Sequence, residues 1–320
     1  MTETILVICP RRPARFVLAM SALAALRTHH KTARLIGLVT PATQFIAKTV
    51  PYLDDSWLDP RTSMWDLRNI MELRAELRSE PFTRVYDFEQ SRTSRLYFHL
   101  MHGWRLSPEA LAQLPWSGDV ATTALYHDNP RKLKMHCVDR LQDQLRVAGV
   151  FEHLPADVSW AARQVRDFSA PFRTNQPFAM LCLDNETDEA WPIDRFAALA
   201  EWFASRKLTP LLVGFNEHTE LAERIAQRCA DAIDITGKAP LIDTVFLAWA
   251  AAAAVGPNCA AMHIAAIAHC RSIVLCGGKS DPAVEGPRGQ RVQVLSRPHI
   301  AEIGTPEILT LLGDLGPADV

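Results

Sequence analysis

The chain lacks the short sequence signatures of several common enzyme classes. No GxGxxG follows a predicted strand, which argues against a dinucleotide redox cofactor, and neither a GxxxxGK[ST] phosphate loop nor a GxSxG nucleophile elbow occurs. The seven cysteines form no CxxC pair and mostly lie inside apolar runs, so we interpret them as buried, reduced thiols. The histidines lack the spacing of metal ligands. We therefore expect neither a metal nor a cofactor.

A strong net charge and a long apolar run are also missing. Lys and Arg total 34 against 36 Asp and Glu, a net charge of -2, so no basic field draws the chain to nucleic acid. The longest apolar run, around 245–255, is shorter than the roughly 20 residues of a membrane-spanning helix. The first residues, MTETILVICP, lack the features of a signal peptide. We expect a cytoplasmic protein and leave open a peripheral contact with the inner membrane surface.

What the sequence does contain is a repeated alternation of strand and helix patterns. Its 320 residues favour two domains over one core, and the alternation is typical of doubly wound parallel sheets. The pattern restarts after an irregular segment at 157–177, which we interpret as a linker. We predict an amino-terminal domain at 1–170, a second domain at 171–304, and a terminal segment at 305–320 whose helix packs back on the first domain.

Apolar periodicity predicts the individual elements. In the first half, we expect strands at 5–9, 34–39 and 83–88, and helices at 16–28, 65–78 and 132–148. In the second half, we expect strands at 178–183, 210–214, 233–236 and 291–295, and helices at 194–206, 219–230, 241–250 and 305–312. Asp194 follows Trp191-Pro192 and is predicted to be the N-cap of its helix.

The most informative segment is AVGPNCAAMHIAAIAHCRSIVLCGGKSDPAVEGP, at 254–287. Its pattern predicts a short strand, a tight turn, a helix start that carries His263, a second strand, and a Gly-Gly turn followed by Asp281-Pro282. This order gathers turn residues and a helix N-terminus at the carboxyl ends of two parallel strands. Open α/β sheets bind ligands at such places, and a helix N-terminus favours anions such as diphosphate. The segment therefore predicts a binding site for a phosphorylated ligand.

A family resemblance rests on the order and spacing of several motifs. They are ILVI and VLAMSALAALR within 5–27, Ala190-Trp191-Pro192 ahead of Arg195-Phe196, TGK at 236–238, VGPNCAAMHIAA at 255–266 and DPAVEGP at 281–287. Together they resemble, nearly end to end, the bacterial glycosyltransferase family 9, the ADP-heptose:lipopolysaccharide heptosyltransferases. The resemblance implies a GT-B fold, with two Rossmann-like domains facing one another across a cleft. It also implies a nucleotide-diphosphate sugar such as ADP-heptose as donor, bound by the carboxy-terminal domain, a saccharide or lipid-linked acceptor on the amino-terminal domain, and no metal.

Three positions depart from what the family resemblance implies. Arg15 stands where an Asp is expected as the base, and a guanidinium cannot take that role because it stays protonated. Glu189 stands where a Lys would hold the donor diphosphate, so it repels the diphosphate instead. The turn Asn258-Cys259-Ala260 replaces an Asp-Ser/Thr-Gly turn, which removes a charge and adds a methyl group close to the ligand. The chemistry at these positions has therefore changed.

The family resemblance and the positions at strand ends together predict the site residues. The donor-binding candidates are Asn185, Thr187, Glu189, Asn258, Cys259, Met262, His263, Lys279 and Asp281, with Lys279 as the source of the positive charge missing at Glu189. The acceptor-binding candidates are Arg11, Arg12, Arg131 and Lys132, basic residues suited to a phosphorylated or acidic acceptor. Topology makes Asp87 and Glu89, at the end of the strand at 83–88, the nearest carboxylates that can replace a base at position 15.

Two functions from different classes remain open on the sequence. The first is a glycosyltransferase of the heptosyltransferase type, which transfers a sugar from a nucleotide-diphosphate donor to a saccharide or lipopolysaccharide-type acceptor. The second is a catalytically impaired GT-B protein that binds nucleotide-sugar or glycan as a partner or regulator, as the changes at Arg15 and Glu189 suggest. A sugar-nucleotide epimerase or hydrolase on the same scaffold is a weaker third.

Overall fold

Each half of the polypeptide is built on its own parallel sheet. A computed structural model describes residues 3–59, 66–104, 107, 114–118, 132, 134–163, 176–184 and 190–316. The chain divides into two compact units, Met1–Ala156 and Asp157–Val320. The division falls at the start of the irregular segment that the sequence analysis interprets as a linker. All seven cysteines are buried as free thiols.

The first unit has a parallel sheet whose strand order is β3-β2-β1-β4-β5. Its strands are β1 (Thr4–Ile8), β2 (Arg34–Val39), β3 (Asp55–Leu58), β4 (Arg84–Asp87) and β5 (Trp116–Ser117). The central strands are continuous apolar runs because helices cover both faces of such a sheet. The short strands β3 and β5 were not predicted.

Around this sheet lie the helices of the first unit. They are α1 (Pro13–Leu18), α2 (Met20–His29), α3 (Pro41–Thr49), α4 (Leu67–Leu77), α5 (Arg92–His102) and α6 (Cys137–Val147). Proline occupies the first turn of α1 and α3, where its missing N–H costs no hydrogen bond. The single helix predicted at 16–28 is interrupted at Ala19, and α6 begins later than predicted because His136 caps it.

The second unit has a parallel sheet in the order β11-β10-β9-β6-β7-β8. Its strands are β6 (Phe178–Cys182), β7 (Thr209–Val213), β8 (Ile233–Asp234), β9 (Ala254–Pro257), β10 (Ser272–Cys276) and β11 (Val292–Ser296). Its helices are α7 (Ile193–Ser205), α8 (Thr219–Ala226), α9 (Leu241–Ala250), α10 (Ala260–Ile267), α11 (Pro282–Glu285) and α12 (Thr305–Leu312). The predicted alternation is thus present in both halves.

Two details of the second unit correct the sequence-based expectations. The N-cap of α7 is Pro192, and Asp194 lies inside the first turn, where its carboxylate accepts a hydrogen bond from Arg228. The terminal helix α12 was expected to pack on the first domain. Its residues Ile308 and Leu312 instead belong to the core of the second unit, together with Phe196 of α7. Apolar residues of α7 that do not pack on the sheet are buried by this contact with α12.

Both sheets reverse their strand order at one point. In the first unit the reversal lies between β1 and β4, and in the second it lies between β6 and β9. Loops that leave the carboxyl ends of such neighbouring strands turn to opposite faces of the sheet, which opens a crevice where ligands bind. Ligand-binding residues are therefore expected at these two places. None of the described helices is long and apolar enough to cross a membrane.

We expect the core of the first unit to depend strongly on Phe98, which is 1% exposed and packs edge-on against Trp116 with ring centroids 5.1 Å apart. Phe98→Ala should lower the free energy of unfolding by about 3–5 kcal/mol, since it leaves a cavity. Phe151→Ala is the matched control because Phe151 is 74% exposed. Urea denaturation measures both. Equal effects of the two substitutions would contradict the described packing.

Candidate active site

At the reversal point of the first sheet, Arg11 connects three loops. Its backbone N–H donates to Glu89 Oε2 at 2.9 Å, so the loop after β1 is tied to the loop after β4. Its guanidinium Nη1 donates to the hydroxyl of Tyr97 at 3.2 Å and lies 3.4 Å from Asp59 Oδ2. The Tyr97 hydroxyl donates to the same Asp59 oxygen at 2.5 Å. The charge of Arg11 is therefore balanced inside the unit by a fully buried carboxylate.

Asp59 was not predicted as a site residue. It follows the short strand β3, and its side chain is 0% exposed. Burying an unpaired carboxylate is costly, so the pairing with Arg11 and Tyr97 explains how Asp59 is tolerated there. In the sequence, only its position at the end of a strand could have identified Asp59 as a site residue, because its partners Arg11 and Tyr97 are distant in sequence.

Asp87, the predicted replacement base, shapes its own loop. It ends β4 and is 0% exposed. Its Oδ1 accepts hydrogen bonds from the N–H groups of Glu89 at 3.1 Å and of Gln90 at 2.9 Å. Gly118 packs so closely that an added Cβ would lie 2.5 Å from the Cβ of Asp87. Because this carboxylate is buried, Glu89 is the more exposed of the two candidates for the base.

The loop that carries Glu89 is held in an unusual conformation. Gln90 has a φ of 48°, in the left-handed region that non-glycine residues rarely adopt. Its side-chain amide donates to Gln144 of α6, and Gln144 in turn donates to the carbonyl oxygens of Asp87 and Ser117, each at 2.9 Å. Backbone strain of this kind persists only where the surroundings fix it, and it concentrates at functional sites.

The other basic candidates of the first unit differ in their exposure. Arg12 is exposed, and Arg15 lies half-buried on α1. Lys132 Nζ lies 2.7 Å from Asp143 Oδ2, and both side chains are mostly buried. The charge of Lys132 is thus neutralised by α6, which weakens the case for its contact with an acceptor. Arg131 lies outside the described residues.

In the second sheet, the turn after β9 leads into α10 at the reversal point. Cys259 is the N-cap of α10, and its side chain makes no capping hydrogen bond to the first N–H groups of the helix. Met262 is 0% exposed and His263 is 1% exposed, which places both side chains in the interior of this unit. Met262 therefore has no surface to offer a ligand. Burial raises the pKa of the Cys259 thiol to about 12, so this thiol stays protonated at neutral pH.

Asn258 ties this turn to the loop after β10. Its Nδ2 donates to Ser280 Oγ at 2.8 Å and to the carbonyl oxygen of Glu285 at 3.1 Å. Its Oδ1 is buried and makes no hydrogen bond in the described part of the chain. An Asp could not make these two donor contacts, so the change from the expected Asp to Asn258 fits the local structure.

The loop after β10 carries Lys279 and Asp281, which have different roles. Asp281 is the N-cap of α11, and its Oδ1 accepts a hydrogen bond from the N–H of Ala283 at 2.9 Å. The capping contact explains Asp281 without a ligand. Lys279 is exposed at the carboxyl edge of the sheet, one strand beyond β9. Its ammonium group is suited to an anion bound near α10.

Sequence reasoning missed a buried histidine and its carboxylate neighbour. His218 is 3% exposed, and its Nδ1 accepts a hydrogen bond from the N–H of Phe215 at 3.0 Å. Its Nε2 lies 3.8 Å from Oδ1 of Asp184, which follows β6 at the reversal point. Gly214 allows this packing, because a Cβ there would lie 2.7 Å from His218 Nδ1. The donor candidates Asn185, Thr187 and Glu189 lie outside the described residues.

A doubly wound parallel sheet in each half, with polar groups at both carboxyl edges, is the architecture that the GT-B class of enzymes shares. The chain belongs to glycosyltransferase family 9 (heptosyltransferase), whose family model matches residues 70–308. The resemblance drawn from the sequence is thereby confirmed. The protein is a glycosyltransferase of the heptosyltransferase type.

Solved structures that resemble this chain agree with the family. The E. coli ADP-heptose lipopolysaccharide heptosyltransferase II superposes with a TM-score of 0.72 at 18% identity, over 98% of both chains. A family 9 glycosyltransferase from Veillonella parvula gives 0.72 at 14% identity, over 97% of this chain and 96% of that one. The E. coli heptosyltransferase WaaC with ADP gives 0.71 at 15% identity, over 97% of this chain and 99% of that one. At these identities the likeness establishes the fold. No curated protein matches the chain in sequence.

We expect His218 to make the stability of the protein depend on pH. Burial lowers the pKa of His218 below its ordinary value of 6.5. The unfolded state therefore binds this proton first as the pH falls, and the stability contribution of His218 is lost below about pH 6.5. His218→Gln should flatten the fall in the free energy of unfolding between about pH 7.5 and 5.

Denaturant titrations at several pH values measure this effect. His299→Gln is the control because His299 is an exposed histidine in the same unit. An unchanged pH slope in His218→Gln would contradict the buried, neutral state of this side chain.

Proposed function

We propose that this protein transfers a heptose or a related sugar from an ADP-linked donor to a saccharide of the lipopolysaccharide type, without a metal ion. One observation carries the proposal: in a member of family 9, an uncapped helix N-terminus follows β9 at the reversal point of the second sheet. A similar E. coli structure contains ADP, and another is an ADP-heptose enzyme, which is the basis for the adenine nucleotide.

The donor diphosphate is proposed to bind at the amino-terminal turn of α10. The first N–H groups of a helix lack partners within it and carry a partial positive charge, so they bind phosphate oxygens well. Lys279, exposed on the neighbouring loop, adds a full positive charge.

These groups also explain how the reaction proceeds without a metal in this proposal. When the bond between the sugar and the diphosphate breaks, negative charge grows on the leaving diphosphate. Fixed N–H dipoles and an ammonium group stabilise that charge where it develops. The acceptor is proposed to bind at the first sheet, where Arg11 and Arg12 offer guanidinium groups to a phosphorylated or acidic saccharide.

A transfer assay tests the proposed function. The full-length protein is incubated with ADP-heptose and truncated lipopolysaccharide cores, and ADP release and glycosylated product are measured with and without EDTA. We expect ADP release that requires both substrates and is insensitive to EDTA. The absence of transfer from any of a panel of ADP-, UDP- and GDP-linked sugars would contradict the proposal, and loss of activity with EDTA would contradict metal independence.

We expect Lys279 to contribute directly to donor affinity. Lys279→Ala should weaken ADP binding by about tenfold or more, the effect of losing one charge-assisted hydrogen bond. Calorimetry with ADP measures the dissociation constant. Lys207→Ala is the matched control, because Lys207 is an exposed lysine that precedes β7 at the opposite edge of the same sheet. Equal ADP affinities in the two variants would exclude Lys279 from the donor site.

A further inference from the structure

We infer that Glu89 is the general base that removes the proton from the acceptor hydroxyl, the role that the family resemblance assigns to a carboxylate at position 15. This inference rests on the proposed transferase function and adds the catalytic residue to it. Arg15 cannot perform the step, because a guanidinium is always protonated in proteins. The base must therefore be another group at the reversal point of the first sheet.

Accessibility distinguishes the carboxylates at this edge. Among the described residues at the carboxyl ends of β1, β3 and β4, or within two residues after them, Asp59, Asp87 and Glu89 carry carboxylates. Asp59 and Asp87 are each 0% exposed; Asp59 Oδ2 accepts hydrogen bonds from Tyr97 and Arg11, and Asp87 Oδ1 accepts them from the loop backbone. Glu89 is half-buried, so it is the one of these three residues that is exposed to solvent. A base that acts on a bound hydroxyl needs such an accessible oxygen.

The hydrogen bonds around Glu89 fix its position and leave one oxygen available. Its Oε2 accepts the backbone N–H of Arg11 at 2.9 Å. Within the described part of the chain, Oε1 makes no hydrogen bond, and Glu89 forms no ion pair. The guanidinium of Arg11 is directed to Asp59 and Tyr97 instead. Glu89 is therefore oriented by a neutral donor, while its second oxygen keeps the lone pairs that accept a proton.

The rigidity of the surrounding loop supports the same assignment. Asp87 accepts the N–H groups of Glu89 and Gln90, and Gln90 is held at a φ of 48° by its contact with Gln144. These contacts specify the backbone on both sides of Glu89. A catalytic group held in this way does not have to be ordered again in each reaction cycle, which lowers the barrier.

The chemical step balances with Glu89 as base. The acceptor hydroxyl oxygen forms a bond with the anomeric carbon of the donor sugar, while its proton passes to Glu89 Oε1. The bond between the anomeric carbon and the diphosphate oxygen breaks, and its electron pair leaves with the nucleoside diphosphate. Glu89 then releases the proton to solvent. No oxidant, reductant or metal takes part.

The variants Glu89→Gln and Glu89→Asp test this assignment. Gln keeps an oxygen that accepts the Arg11 N–H but cannot take a proton, whereas Asp keeps a carboxylate on a shorter side chain. With ADP-heptose and lipopolysaccharide cores, we expect Glu89→Gln to lower kcat by about 100-fold or more. The KM for the donor and the calorimetric affinity for ADP should stay within about threefold of the wild-type values, and Glu89→Asp should retain more activity than Glu89→Gln.

Circular dichroism and thermal unfolding establish that the variants are folded, and Glu72→Gln, an exposed glutamate on α4, is the matched control that should leave kcat unchanged. If the wild-type protein transfers the sugar, two results would overturn the role of Glu89 and leave the proposed function standing. One is a wild-type kcat in Glu89→Gln, and the other is an equal kcat in Glu89→Gln and Glu89→Asp. No transfer by the wild-type protein would overturn the proposed function and this inference with it.

Discussion

The parallel pairing of neighbouring strands is the constraint on which the candidate site depends. In the first sheet β1 pairs in parallel with β2 and β4, and in the second β6 pairs in parallel with β7 and β9. Parallel strands end at the same edge, so residues far apart in sequence meet there. The contact between Arg11 and Glu89 and the approach of His218 to Asp184 are direct consequences. Without the order reversal, the loops after β1 and β4, or after β6 and β9, would lie on the same face and leave no crevice.

The sequence predicts the elements that apolar pattern alone specifies. Helices α9 and α12 and strand β2 have the predicted bounds, and β1, β4, β6 and β7 differ from prediction by at most one residue at each end. The short strands β3 and β5 were missed because DSWL and the two-residue strand WS are too short for a pattern to stand out. The prediction of Asp194 as the N-cap of α7 was wrong because the helix already begins at Ile193, with Pro192 as its N-cap.

Contacts between segments that are distant in sequence are the part of the site that could not be predicted from the sequence. Asp59, Tyr97 and Arg11 come from three separate segments, and none has a neighbour in sequence that signals its partner. Covered carboxylates such as Asp87 and accessible ones such as Glu89 also look alike in a sequence. The strand ends predict the location of the site, but the role of each residue depends on its burial and its hydrogen bonds.

The departures from the family pattern are consistent with one another. The turn CPRRPAR brings no carboxylate to position 15, and its Arg11 instead ties the β1 loop to Glu89 and to the buried Asp59. In the second sheet, Asn258 replaces the expected Asp and uses its amide group as a donor to Ser280 and to the Glu285 carbonyl. Both changes keep a connected set of hydrogen bonds at the strand ends. The polar groups at the carboxyl edges of the two sheets are therefore arranged differently from the family pattern, but they remain hydrogen-bonded to one another.

The location of the donor diphosphate is the central claim of this account, and hydrogen–deuterium exchange with and without ADP tests it most directly. Exchange should slow at the backbone N–H groups of residues 259–263, at the start of α10, and stay unchanged at the opposite edge of the sheet around Lys207. Saturating ADP that leaves the exchange of residues 259–263 unchanged, while it protects another part of the chain, would contradict the account.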